Sequence, residues 1–277
     1  MVNNFLSVDL EEWFNLGFYK VQEEQKNNFI SEPFIVRDAL KLLQIFKKYG
    51  AKATFFVLGV VLEKYPDLIK EVERHGHEIA SHGYTHIPIY ELSPLLFEDE
   101  LKRSMDILSK VIRQRVIGYR APHLSIGKNL WAYELLERNG FVYDSSVKHR
   151  PLLPSQRYKQ YYKIELINRR TMLEFPVSAF NFFCARIPFS GGTYYRLLPK
   201  SIIKRCIEDI NKKGDFAQIY LHPRDLAEFL PRLKLSFTNQ LRYSGHFGNN
   251  LEKIEFLLSN FKFMTIKDYL ENNGYIF

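Results

Sequence analysis

Short β-rich runs alternate with longer amphipathic stretches along the 277 residues, and this alternation constrains the fold more than any other feature of the chain. Phe5 to Asp9 is the first extended run. After a polar connection, Leu40, Leu43 and Phe46 fall at helical spacing within Ala39 to Tyr49, and Gly50 closes that helix. The rhythm then repeats. Extended runs at Ala53 to Leu58, Glu78 to His82, Val116 to Arg120, Phe141 to Ser145, Leu173 to Val177, Phe216 to Leu221 and Phe261 to Thr265 are separated by helical stretches. Those stretches are Pro66 to His75, Ser93 to Arg113, Asn129 to Asn139, Lys200 to Lys212 and Leu251 to Ser259. Ser93-Pro94 has the chemistry of a helix start, a hydroxyl cap followed by a proline whose missing N–H is harmless in the first turn. No internal repeat, low-complexity tract or linker divides the chain. The pattern predicts an α/β fold in one domain, a β/α barrel whose reactive groups gather at the C-terminal ends of its strands. Asp9, His82, Arg120, Asp144 and His222 all fall at such ends.

Apolar residues make up 46% of the chain, enough for a sizeable core and against disorder. The longest apolar run, Ala53 to Leu62, is broken by Thr54 and Gly59 and falls short of the roughly 20 residues that span a bilayer, so no stable membrane insertion is expected. Met1-Val2-Asn3-Asn4 passes directly into the first strand without the segments of a signal peptide. A cytoplasmic location is therefore expected, with association with a membrane-bound export or synthesis system left open. Cys184 and Cys206 share no C-x-x-C spacing and read as two buried thiols. The net charge of +8 could attract nucleic acid, anionic lipid or an acidic polysaccharide. Its only dense basic segment, Lys148 to Arg170, is interleaved with Tyr158, Tyr161 and Tyr162 and carries no nucleic-acid motif. It reads as a solvated loop or a carbohydrate-facing wall, and no nucleic-acid partner is expected.

Ser81-His82-Gly83-Tyr84-Thr85-His86 sets two imidazoles four residues apart, where a turn or tight loop lets both face one point. Neutral imidazole nitrogens suit zinc and related ions. At the end of the first strand, Ser7-Val8-Asp9-Leu10-Glu11-Glu12-Trp13 presents acids, and persisting strand geometry would put Asp9 and Glu11 on one side and Leu10 on the other. One carboxylate can then bind metal while its neighbour handles protons. In Gly118-Tyr119-Arg120-Ala121-Pro122-His123, a buried arginine would pair with a carboxylate through its planar fork. Ile219-Tyr220-Leu221-His222-Pro223 ends an apolar strand with a histidine that could donate a proton.

In these four ordered motifs the chain resembles the polysaccharide deacetylase family, also called the NodB homology domain or carbohydrate esterase family 4: the acidic strand end at Asp9, S-H-x-x-x-H at His82 and His86, R-x-P at Arg120 and Pro122, and L-x-H at Leu221 and His222. His77 to His82, Tyr143 to Ser146 and Pro188 to Pro199 look closest to a subgroup found near exopolysaccharide gene clusters, which carries a C-terminal extension, here within 175–277. The resemblance implies a distorted (β/α) barrel of about seven parallel strands. It also implies hydrolytic removal of N-acetyl groups from an amino-sugar-containing polysaccharide or oligosaccharide, with one divalent ion, zinc first and cobalt, nickel or manganese as alternatives.

The family pattern has two adjacent aspartates, a base and a metal ligand, but Leu10 stands in the second position and cannot bind metal. Glu11 is the expected third ligand beside His82 and His86, with Asp9 as base; the other arrangement makes Asp9 the ligand. Arg120 would hold Asp9, His222 would protonate the leaving amine, and Asp144 would orient His222 or line the pocket. His123 replaces a tyrosine frequent in the family, a change that a backbone amide binding the oxyanion would tolerate. Trp13, Tyr84, Tyr194 and Tyr195 are candidate sugar-stacking walls, Pro122 and Leu221 candidate pocket residues, and Gly191-Gly192 a close approach to substrate or an ordinary turn. Two other readings compete: a small-molecule amide hydrolase on the same scaffold, and a carbohydrate-binding relative without catalysis.

Overall fold

Phe5, Leu6, Val8 and Leu10 make β1 (Asn3–Leu10) apolar on both faces, as suits a strand covered on either side, and it is buried from Asn4 onward. In the computed structural model, which describes residues 3–17, 19–22, 34–127, 129–148, 161–167, 170–182, 185–228, 230–246 and 248–275, β1 pairs in parallel with β2 (Thr54–Val57) on one side. On the other side it meets β10 (Gln218–Leu221) and β11 (Lys262–Met264). The sheet continues through β3 (Glu78–Ser81), β4 (Gly118–Tyr119), β5 (Tyr143–Asp144), β7 (Thr171–Glu174) and β6 (Tyr162–Glu165). Its nine strands among the described residues run in the order β10-β1-β2-β3-β4-β5-β7-β6 with β11 beside β1, and of the described pairings in it only β6 with β7 is antiparallel. The sheet curls back on itself. The Ser178 N–H reaches Gln218 O at 3.4 Å and the Ser178 hydroxyl accepts from Gln218 N at 2.8 Å, so the chain beyond β7 returns to β10. The expected barrel is thus a curled, mostly parallel sheet of the α/β class.

Helices α1 (Phe34–Tyr49), α2 (Gly59–Lys64), α3 (Pro66–Arg74), α4 (Pro94–Val111), α5 (Leu130–Arg138), α6 (Gly192–Leu197), α7 (Lys200–Asn211), α8 (Phe237–Ser244), α9 (Asn250–Asn260) and α10 (Ile266–Asn272) follow the strands. Ser93 caps α4 by accepting from Leu96 N, as its sequence predicts. Leu42, Leu43 and Phe46 of α1 and Phe97, Leu101 and Leu108 of α4 pack on Val8, Leu10, Phe55 and Val57 of the sheet in one core. Outside the sheet, β8 (Ala179–Phe182) and β9 (Ala185–Pro188) form a hairpin.

One expectation is corrected here. The described end of the basic segment is not a loop: Tyr162 to Glu165 is β6, and Tyr161 stacks on Phe175 with ring centres 5.5 Å apart, facing the interior rather than a sugar. Gly191 is required by the protein itself, because a Cβ there would fall 2.2 Å from the Tyr220 ring. Cys206 is a buried thiol, as expected; Cys184 and Tyr158 lie outside the described residues. Among the described residues, no helix is long and apolar enough to cross a membrane.

Candidate metal centre and active site

Directly after β1, the Glu11 N–H turns back to Asp9 O at 3.0 Å, and Leu10 faces the core. The Glu11 carboxylate then lies 3.0 Å from His82 Nε2 and 2.8 Å from His86 Nε2, all three groups being buried. His82 Nδ1 sits 2.7 Å from Arg120 O. A carbonyl only accepts, so Nδ1 carries the proton, and in a neutral ring the Nε2 lone pair faces a carboxylate. That arrangement calls for a positive charge between them. Two imidazoles and a carboxylate fit a borderline divalent cation. Burial alone would raise the Glu11 pKa, but the charges of the facing His86 and His222 rings and the hydrogen bonds that His82 and His86 donate when Nε2 is protonated hold it well below the usual carboxylate range, a proton there standing where the cation would. Asp9, Glu11 and His222 also have ligand atoms within 4.8 Å of one another, so Glu11 is common to both groupings.

The loop between the histidines is held from α4. The Glu100 carboxylate accepts from Tyr84 N at 3.2 Å, Thr85 N at 2.8 Å and the Thr85 hydroxyl at 3.0 Å. His86 itself has a φ of +66°, which this clamp sustains in the left-handed region.

Arg120 is fully buried. It donates to Asp9 Oδ1 at 2.6 Å, Ser7 Oγ at 2.9 Å, and Ser145 O and Oγ at 3.0 and 2.8 Å, with its guanidinium 4.0 Å from the Phe56 ring centre. β1 and the residue after β5 thus each contribute two hydrogen bonds, and β2 a ring face, to a charge that has left water.

His222 follows β10, with Nε2 3.9 Å from Glu11 Oε2. Its orienting acid is not Asp144. Asp144 accepts instead from Ser146 N and Oγ at 2.9 and 2.6 Å, within the turn whose Ser146 hydroxyl receives Ala121 N. The partner of His222 is Asp225, three residues on, whose Oδ2 accepts from His222 N at 2.8 Å and lies 3.2 Å from Nδ1. Asp225 Oδ1 in turn receives Arg196 Nη1 at 2.6 Å. Burial would raise the Asp225 carboxyl; Arg196 and His222 outweigh it and hold it well below the usual range. The reading of residues missed Asp225, Arg196 and Glu100. Only Asp225 left a signal, an acid three positions after a strand-ending residue and a proline, which is the pattern of a capping box.

The candidate walls separate into core and rim. Trp13 is 4% exposed and packs with Phe34, Leu233 and Tyr243, so it is core. Tyr84 is equally buried; its hydroxyl donates to Glu63 at 2.6 Å and its face carries Arg103 at 3.7 Å. Neither is a sugar platform. Leu221, Pro122 and Tyr195 are buried, whereas Tyr194 is half exposed on α6. His123, at a φ of +57°, sets its ring 4.5 Å from that of His86, and Gly17 leaves room for it. Burial and the neighbouring His86 push its pKa down to about 4, so the ring is neutral. Beside His86 and His123 opens a groove of about 570 Å³, lined further by Tyr65, Tyr90, Lys64 and Thr85.

Residues 37–142 match the model of the polysaccharide deacetylase family, and residues 148–271 match that of a domain of unknown function, DUF3473. A peptidoglycan deacetylase of Helicobacter pylori is 33% identical over 114 residues, 41% of this chain and 38% of the relative. A peptidoglycan-N-acetylglucosamine deacetylase of Bacillus cereus is 30% identical over 96 residues, 34% of this chain and 35% of the relative. The chain therefore matches little more than a third of the length of either. Among solved structures, a probable polysaccharide deacetylase of Pseudomonas aeruginosa superposes with a TM-score of 0.66 at 16% identity, over 98% of this chain and 92% of the other. The PuuE allantoinase does so with a TM-score of 0.65 at 16% identity, over 98% and 91%. At such identities the superpositions speak for the fold, and with the family match and the deacetylase relatives they lead to one assignment: this chain carries a polysaccharide deacetylase domain.

Proposed function

We propose that the chain is a metal-dependent hydrolase that removes N-acetyl groups from an amino-sugar-containing polysaccharide or oligosaccharide. The observation that carries this reading is the convergence of Glu11, His82 and His86 at 2.8 to 3.0 Å, with Asp9 and His222 beside them. Glu11, His82 and His86 would hold one divalent ion, zinc first and cobalt, nickel or manganese as alternatives. When bound, such an ion acidifies water and polarises an acetyl carbonyl. Asp9, oriented by Arg120, takes the proton of the attacking water, and the backbone N–H at His123 donates to the developing oxyanion. His222, held by Asp225, gives the proton with which the amine departs, so that water and an N-acetyl group become acetate and a free amino sugar. Tyr65, Tyr90 and His123 along the groove are the surfaces for a pyranose ring, Tyr90 being 70% exposed. The Pro188 to Pro199 segment favours an exopolysaccharide as the polymer.

Acetate release from acetylated chito-oligosaccharides tests the reading. Turnover that a chelator abolishes and zinc restores is expected. A zinc-loaded protein that releases no acetate but opens a small cyclic amide would move the assignment to the small-molecule alternative. Sugar binding with no turnover would make it a binding protein.

A further inference from the structure

His222 belongs to the segment matched to the domain of unknown function, and the groups that hold its ring belong there too. We propose that this segment is a working part of the active site, in which Arg196 fixes the ring orientation of His222 through Asp225. The proposal rests on the hydrolase reading for what His222 does, and on geometry alone for how His222 is held.

Asp225 lies in the short turn Pro223–Leu226 directly after His222. Because Oδ2 engages both the backbone N–H and Nδ1 of His222, the ring cannot rotate without giving up a buried hydrogen bond. The other oxygen would leave Asp225 free to swing, but Arg196 Nη1 takes it at 2.6 Å, with the two side chains 4% and 1% exposed. Arg196 is fixed in turn. Its Nε donates to Gly245 O at 3.3 Å and its Nη2 to Arg242 O, both at the end of α8. Lys253 of α9 donates to Tyr195 O and Arg196 O at 2.9 and 2.8 Å, pinning the end of α6, and Asn250 of α9 donates to Asp225 O at 3.0 Å. Three helices of the segment are therefore tied to the Arg196–Asp225 pair, α6 through the carboxylate, α8 through the guanidinium and α9 through main-chain carbonyls. Among the described residues, Arg196 hydrogen-bonds to Asp225, Gly245 and Arg242 and to none of Asp9, Glu11, His82 or His86. It is a positioning residue, acting through Asp225, and the segment supplies the acid side of a reaction whose metal ligands lie elsewhere in the chain.

The test uses the full zinc-loaded chain and two readouts. In ¹⁵N-histidine NMR, the wild-type protein should show an exchange-protected His222 Nδ1–H signal that Arg196→Ala loses while the His82 and His86 signals stay. In kinetics, Arg196→Ala should lower kcat about 10–100-fold with KM and zinc content unchanged, and should have no further effect in a His222→Ala background. An unchanged His222 signal, or an equal fold-loss in both backgrounds, would overturn the proposal. Should Arg196→Ala fail to fold, Arg196→Lys keeps the charge without the fork and carries the same measurements with a smaller loss expected; wild-type signals and wild-type kcat there would overturn it equally. Absence of turnover by the wild-type protein would sink the hydrolase reading instead, leaving the NMR result to decide on Arg196.

Discussion

Arg120 and Arg196 are both buried, each holds an aspartate at 2.6 Å, and both aspartates lead to the same centre, yet the two pairs are built differently. Arg120 stands at the end of a parallel strand and ties together Ser7 and Asp9 of β1 and Ser145 directly after β5. Arg196 sits on a six-residue helix outside the sheet and is anchored by carbonyls at the end of α8. The first pair is bonded directly to strand residues of the sheet. The second depends on how α6, α8 and α9 pack. The difference teaches that the sheet holds Asp9, the proposed base, while helices outside the sheet hold Asp225 and through it the ring of His222, the proposed acid.

Removing each acid should give unequal losses. Asp9→Asn deletes the proposed base and should lower kcat by about 10²–10⁴-fold, whereas Asp225→Asn, acting only through His222, should cost about 10–100-fold. Steady-state kinetics on zinc-loaded variants checks this, and equal losses would erase the distinction. Removing the sheet-bound arginine tests stiffness: Arg120→Ala leaves Asp9 buried without its partner and should destabilise the fold by about 3–5 kcal/mol in urea denaturation. Next comes the loop clamp. Glu100→Ala frees Tyr84 N and Thr85 N and should weaken zinc binding about 10–100-fold by isothermal titration, with little change in His222 behaviour.

The opposite pole of the barrel offers a control. Burial pushes Glu78 up to about 6, although Thr54, Lys267 N and Tyr143 bond to it. Its folded form binds a proton more tightly than the unfolded chain, so the associated stability is full below about pH 4.5 and is lost as pH rises through 6. By pH 7 the loss should be about 2 kcal/mol, and Glu78→Gln should remove this part of the pH dependence in denaturant titrations. The smallest effect is expected for Tyr84→Phe. Loss of its bond to Glu63 should cost about 1 kcal/mol of stability, and kcat/KM should not move. A large rise in KM would restore Tyr84 as a sugar wall.

The sheet-bound half of the site was legible because parallel strands announce themselves as apolar runs and place their next residues at one rim. Asp9, His82, Arg120 and His222 could be read from that rule, and Glu11 does meet the two imidazoles, though through a turn after β1 and not the continuing strand that the alternation about Leu10 assumed. Arg196 could not be read. It follows Tyr194-Tyr195 on a helix too short for a periodic pattern, and its partner Asp225 is 29 residues away. Trp13 and Tyr84 misled for a related reason: an aromatic beside a motif has the same sequence signature whether it faces sugar or core, and here packing with Phe34 and Tyr243, or under Arg103, decided for the core. Asp144 sat at the right height in the barrel, but its neighbour Ser146 took its hydrogen bonds.

The central claim is the identity of the metal ligands, and a crystal structure of the zinc-loaded protein tests it most directly. One zinc ion is expected with Glu11, His82 Nε2 and His86 Nε2 at about 2.0–2.2 Å. Zinc bound by Asp9 and His222, with His82 and His86 turned away from it, would contradict the account.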